Sequence, residues 1–192
     1  MRGRKAVLIL GLAIIVVGTA VWVRSAGLDP RPGPLGDPAS LQSDAGYSSA
    51  GGPMPVGRPF TYGMIWVRNS SDFSATVDGI TPQGGVWPPG MRLVGVYADP
   101  HSCFPAGLVR SIPIDTSCLQ PLEGFATPPN TPKGEGVSIL LELQVDRPGR
   151  YSVHGFDLHY HVGPFHYSSL YMIGLGVCAP VEDYPNGCPG PL

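Results

Sequence analysis

Val137 to Val145 places Val137, Ile139, Leu141, Leu143 and Val145 on one parity, with Ser138, Glu142 and Gln144 on the other. A two-residue period of this kind is a strand with one face buried. No stretch beyond the N-terminus sustains the 3.6-residue stripe of an amphipathic helix, so the chain has to build its core from strands. Phe60 to Val67 sets Phe60, Tyr62, Met64 and Trp66 on one face, which sends Trp66 to the core. Ser74 to Ile80 has Ala75 and Val77 facing one way, and Leu93 to Ala98 alternates less clearly. Tyr151 to Val162 and Phe165 to Ile173 complete the set. Between them stand turn signals: Gln83-Gly84-Gly85, Trp87-Pro88-Pro89-Gly90 and Arg147-Pro148-Gly149. With 27 glycines and 23 prolines in 192 residues, the chain is built for many turns between short apolar runs. About six or seven such strands from Phe60 to Val181 predict an all-β antiparallel β-sandwich of immunoglobulin-like type.

The first five residues carry Arg2, Arg4 and Lys5, and Ala6 to Val23 then runs without a charge until Arg24. A helix over that run would be roughly 27 Å long, against about 30 Å of hydrocarbon. The alternative is a cleaved secretory signal with Gly18-Thr19-Ala20 as its cleavage site, but the run is longer than the usual apolar region of one and Trp22 suits a membrane interface, so an uncleaved transmembrane anchor is expected over residues 6–23. Residues 1–5 then form a cytoplasmic basic tail, and everything after Arg24 is extracytoplasmic. Residues 24–59 are rich in Gly and Pro with no apolar period, which predicts a disordered linker before a domain over residues 60–192. Beyond Arg24 the 12 basic residues fall to 8 against 14 acidic ones, so the exported surface is not one that attracts nucleic acid.

All four cysteines (Cys103, Cys118, Cys178 and Cys188) lie in the exported part. An even number in an oxidising compartment predicts two disulfides, with Cys103–Cys118 and Cys178–Cys188 favoured because each pair encloses a Pro-containing loop. The spacings fit no zinc module. Asn69-Ser70-Ser71 has the form of an N-glycosylation acceptor.

Phe60…Gly63…Val67-x-Asn69 is followed by Val77-x-Gly79-Ile80 and Pro148-Gly149-x-Tyr151…Gly155-Phe156-x-Leu158-x-Tyr160…Gly163, with Val177-Cys178 at the end. In this order the chain resembles actinobacterial single-span, membrane-anchored proteins of unassigned function with an extracytoplasmic immunoglobulin-like domain. The resemblance covers about Phe60 to Cys178 and rests on turn glycines and core aromatics. It implies a fold and a location, and it carries over no functional residues.

Of five histidines, four fall between His154 and His166. Tyr151 and Val153 share one parity, whereas Phe156, Leu158, Tyr160 and Val162 share the other, which predicts a bulge at His154-Gly155. Val162-Gly163-Pro164-Phe165 reads as a two-residue hairpin that pairs His161 with His166 and His159 with Ser168. His159, His161 and His166 would then share one outward sheet face, a ligand set suited to copper or zinc, with Met172 as a possible soft addition. The plainer alternative is that these imidazoles fill outward polar positions beside Asp157 and Ser168, since a one-residue slip would scatter them.

The motifs of nucleophilic hydrolases, zinc peptidases and phosphate-binding loops are absent, so no enzyme activity, catalytic residue or cofactor is expected. The first functional expectation is a non-catalytic interaction or scaffolding module at the cell surface, with a protein partner outside the cytoplasm. The alternative is extracytoplasmic copper or zinc binding by His159, His161 and His166.

Overall fold

A computed structural model of the chain describes residues 35–36, 48–104, 107–109, 116–131 and 136–188. The basic tail and the expected anchor at residues 6–23 lie outside the described residues. Among the described residues no helix is long and apolar enough to cross a membrane.

The described chain is all β, with no α-helix. In chain order the strands are β1 (Leu35–Gly36), β2 (Ser48–Pro53), β3 (Pro59–Asn69), β4 (Ala75–Pro82), β5 (Met91–Asp99), β6 (Gly107–Val109) and β7 (Gln120–Pro121). They continue as β8 (Ala126–Thr127), β9 (Val137–Val145), β10 (Gly149–Val153), β11 (Phe156–Val162), β12 (Phe165–Tyr171) and β13 (Ile173–Ala179). Three sheets result. One runs β1-β3-β9-β5-β7, with β6 also on β3; the second runs β10-β13-β2 and the third β12-β11-β4-β8. A single apolar core joins them, including Phe60 and Tyr62 of β3, Leu141 and Leu143 of β9, Phe156, Leu158 and Tyr160 of β11, and Leu175 and Val177 of β13. The Tyr62 and Phe156 rings lie 5.6 Å apart, and the Tyr62 hydroxyl donates to the Gly174 carbonyl at 3.2 Å.

The alternation expected of Val137–Val145 is present, with Val137, Ile139, Leu141, Leu143 and Val145 all buried. In β3 the pattern departs from expectation. Its register on β9 shifts between Tyr62 and Ile65, so Phe60 and Tyr62 are buried on one parity and Ile65 and Val67 on the other. Trp66 is therefore half-buried on the outer side. A bulge at Gly63-Met64 flips every side chain that follows it. The indistinct alternation of β5 has the same origin, a register shift between Leu93 and Gly95.

The expected linker over residues 24–59 is corrected at its C-terminal end. Ser48–Pro53 is β2, parallel to β13 with Ser48 opposite Ile173 and Pro53 opposite Cys178. Met54 beyond it is fully buried. The glycines that make this stretch resemble a linker are what let it pair here: a Cβ on Gly51 would overlap the Gly176 carbonyl oxygen. The folded unit thus begins ahead of Phe60.

The expected glycosylation acceptor is instead a structural joint. Asn69 is fully buried; its amide donates to the carbonyls of Phe73 (2.8 Å) and Thr127 (3.3 Å), and its oxygen accepts the Ser71 N–H at 3.0 Å. A side chain held on both ends by backbone in this way is closed to a glycosylating enzyme. Asp99, at the end of β5, is also fully buried, and its carboxylate accepts the backbone N–H groups of His101 (3.3 Å), Cys103 (3.0 Å) and Phe104 (2.9 Å).

Of the two expected disulfides, Cys178–Cys188 is formed and ties the end of β13 to the residues that follow it. The expectation of a Cys103–Cys118 bond is corrected: both are free thiols, Cys103 exposed and Cys118 half-buried.

Candidate metal centre

The hairpin of β11 and β12 forms in the expected register, with His161 opposite His166 and His159 opposite Ser168. Phe156, Leu158 and Tyr160 fill the core, so Asp157, His159 and His161 face outward. The parity switch at His154-Gly155 takes a stronger form than a bulge. The chain leaves the β10 sheet after Val153 and enters the β11 sheet at Phe156. His154 is exposed at the crossing, away from the other imidazoles.

On its other side β11 pairs with β4, and there the register shifts: His159 lies opposite Gly79, but Tyr160 lies opposite Val77. Asp78 is the extra residue. Ala75 and Val77 are buried on one parity and Ile80 on the other, so Asp78 is turned outward beside the histidines. Gly79 carries the backbone through this step at φ +157°.

Three side chains meet here. His161 Nδ1 lies 2.7 Å from one Asp78 carboxylate oxygen, and His166 Nδ1 lies 3.3 Å from the other. The two rings are 5.4 Å apart at an interplanar angle of 47°. One ligand atom from each residue falls within a common span of 4.8 Å. Ligands sharing a tetrahedral zinc ion are about 3.3 Å apart, so an ion can take the place of the present imidazole–carboxylate hydrogen bonds after a small closure. Two imidazoles and one carboxylate suit a divalent first-row ion and leave coordination positions open. The site opens to solvent, since the side chains of His161, His166 and Asp78 are 32%, 71% and 35% exposed.

The expected ligand set is thereby changed by one member. His159 Nε2 lies 3.0 Å from the Thr81 hydroxyl instead, which commits that ring to the other end of β4. Met172 follows the end of β12, six positions beyond His166 and roughly 20 Å further along the strand, and cannot reach. Asp78 was missed although its signal was in the sequence: the apolar parity of Ala75-x-Val77 against Ile80, with a glycine between them, marks a bulge by the rule applied to His154-Gly155.

No protein-family model matches the chain. No curated protein matches it. Among solved structures the chain is similar to a Vibrio cholerae protease, VesB, with 13% sequence identity and a TM-score of 0.30. The match covers 69% of this chain and 31% of that one. A likeness of this degree carries no argument about fold or chemistry.

Proposed function

We propose that this chain is an extracytoplasmic binder of Cu(II) or Zn(II), held outside the cytoplasm by its N-terminal apolar segment on an immunoglobulin-like sandwich. The observation that carries the reading is the convergence of Asp78, His161 and His166 on one outward face, built from three strands and a bulge. The exported location is supported by the charge-free run after a basic tail and by the Cys178–Cys188 bond. In this reading the protein binds the ion without turnover.

The test is titration of the full chain, purified in detergent, with CuCl2 and ZnCl2 by calorimetry. One ion per chain is expected. Affinity should fall at least tenfold in Asp78→Ala, His161→Ala and His166→Ala, and His159→Ala should bind as the parent does. Absence of saturable binding, or equal binding by all four variants, would overturn it. Acidification should weaken binding, because protons compete for the imidazole nitrogens.

A second reading, a protein-interaction module, is favoured by one feature. Among the described residues β12 is an edge strand, and it holds no Asp, Glu, Lys, Arg or Pro; Phe165 and Leu170 on it, and Met172 just beyond, are exposed. Such an edge is open to a further strand. A photo-crosslinking residue at Leu170 should capture a partner strand in intact cells. Capture no greater than from Ser152 would sink this reading.

A further inference from the structure

The bulge that turns Trp66 out of the core places its indole in a cleft. Where β3 and β5 finish and β9 begins, Trp66 forms one side of an open hollow of about 280 Å³. Phe125 and Pro128, on either side of β8, and Pro100, just after β5, supply its other apolar walls. Ser102 and Thr131 bring hydroxyl groups to it. Among the described residues no Asp, Glu, Lys, Arg or His lines the cleft. Its walls are held in place before anything binds. A Cβ on Gly136 would come within 2.6 Å of Trp66 Nε1 and 2.8 Å of Cε2, so the ring is seated against bare backbone. The Thr131 N–H donates to the Asn69 carbonyl at 2.9 Å and the Asn130 N–H to the Ser71 carbonyl at 2.8 Å, which ties that wall to the end of β3. Residues 100–104 are fixed by the buried Asp99 carboxylate, which takes three of their backbone N–H groups. Within them Ser102 stands at φ +53°, a conformation that a residue other than glycine keeps only when its surroundings impose it.

We propose that this cleft binds a neutral pyranose, one uncharged sugar ring. The face of an indole is the negative part of its quadrupole, and the axial C–H bonds of a sugar ring present weakly positive hydrogens that stack on it. Sugar hydroxyls need partners that both donate and accept, as the hydroxyls of Ser102 and Thr131 do. Thr131 spends its proton on the Pro128 carbonyl at 3.1 Å and keeps its lone pairs for a ligand. With no charge in the walls, nothing offsets the desolvation of a phosphate, a carboxylate or an amine, so the ligand is uncharged. The volume lies at the low end of small-molecule sites, which run from about 300 to 1,000 Å³, and suits a single ring. Because the walls are fixed beforehand, little ordering is left to oppose binding. The site shares no residue with the candidate metal centre and stands independently of it.

The test is NMR on the full chain, isotope-labelled at its tryptophan nitrogens and held in a sugar-free detergent. The probes are the methyl glycosides of glucose, mannose and galactose, and N-acetylglucosamine. Trp87, whose ring lies 6.2 Å from that of Phe156, reports on the fold and serves as the reference signal. The indole signal of Trp66 should move saturably with at least one of these sugars while that of Trp87 stays still. In Trp66→Ala, saturation transfer to the sugar should show affinity at least tenfold lower, with the Trp87 signal unchanged. Trp66→Phe, which keeps an aromatic face, should lose less. No saturable shift with any of the sugars, equal shifts at both indoles, or full affinity in Trp66→Ala would overturn the site. So would a saturable shift of Trp66 with a tetraproline peptide and with none of the sugars, which would make the cleft a peptide groove.

Discussion

Gly79 does for the candidate metal centre what no side chain could. It holds the backbone at φ +157° where β4 slips one residue against β11, and that slip turns Asp78 toward His161 and His166. Nothing lies within 4 Å of a Cβ built there, so a substitution meets open space and pays only in backbone strain. Gly79→Ala is expected to cost about 1–2 kcal/mol in urea denaturation. It should also weaken Zn(II) binding at least tenfold by calorimetry, although no ligand is altered. Unchanged affinity would mean that Asp78 does not depend on the bulge for its position. At this scale the sequence was legible in parts. The Gly163-Pro164 turn fixed the pairing of His161 with His166, because a two-residue hairpin leaves one register. The partner strand was out of reach, since nothing local to His161 tells which distant carboxylate will be laid beside it.

At the level of elements, strands read correctly where one face is buried and alternation is clean, as in β9. They read wrongly where backbone geometry outweighs side-chain pattern. The bulge in β3 turned Trp66 out of the core, and nothing in Phe60–Val67 but Gly63 hinted at it. β2 was mistaken for linker, since a strand made of Ser, Ala, Gly and Pro offers no apolar period. Its fit depends on the absence of side chains, so the prediction is a steric one. Gly51→Val should clash with the Gly176 carbonyl, lower stability by about 1–3 kcal/mol and speed amide exchange along β13. A fully retained denaturation midpoint would show that β2 contributes little. By the same logic, a fragment cut at Val56 lacks an entire strand of its sheet and should be less stable than one that begins at Ser48.

For the molecule as a whole, the Cys178–Cys188 bond fastens the chain after β13, whose residues are buried along its length. It closes a loop with a sequence separation of 10, and in the chain-entropy account that is worth about 2–3 kcal/mol. A Cys188→Ser variant should therefore lose about that much unfolding free energy in urea denaturation, with the β-sheet circular dichroism of the native state retained. Loss of the fold at rest would show that the bond is required for assembly rather than added to it. The sequence made the all-β class legible, because period-two runs between turns admit little else. It could not reveal that three sheets share one core, as this depends on pairings between segments more than 100 positions apart, such as β2 with β13.

The parallel pairing of β2 with β13 also decides how the domain answers a pull. Tension on the chain ahead of Ser48, opposed by tension beyond Ala179, draws the two strands past each other along their length. All of their hydrogen bonds are then loaded together in shear instead of being opened one at a time from an end. A domain tethered in this way would give abruptly at high force, and β2 and β13 would be its mechanical clamp.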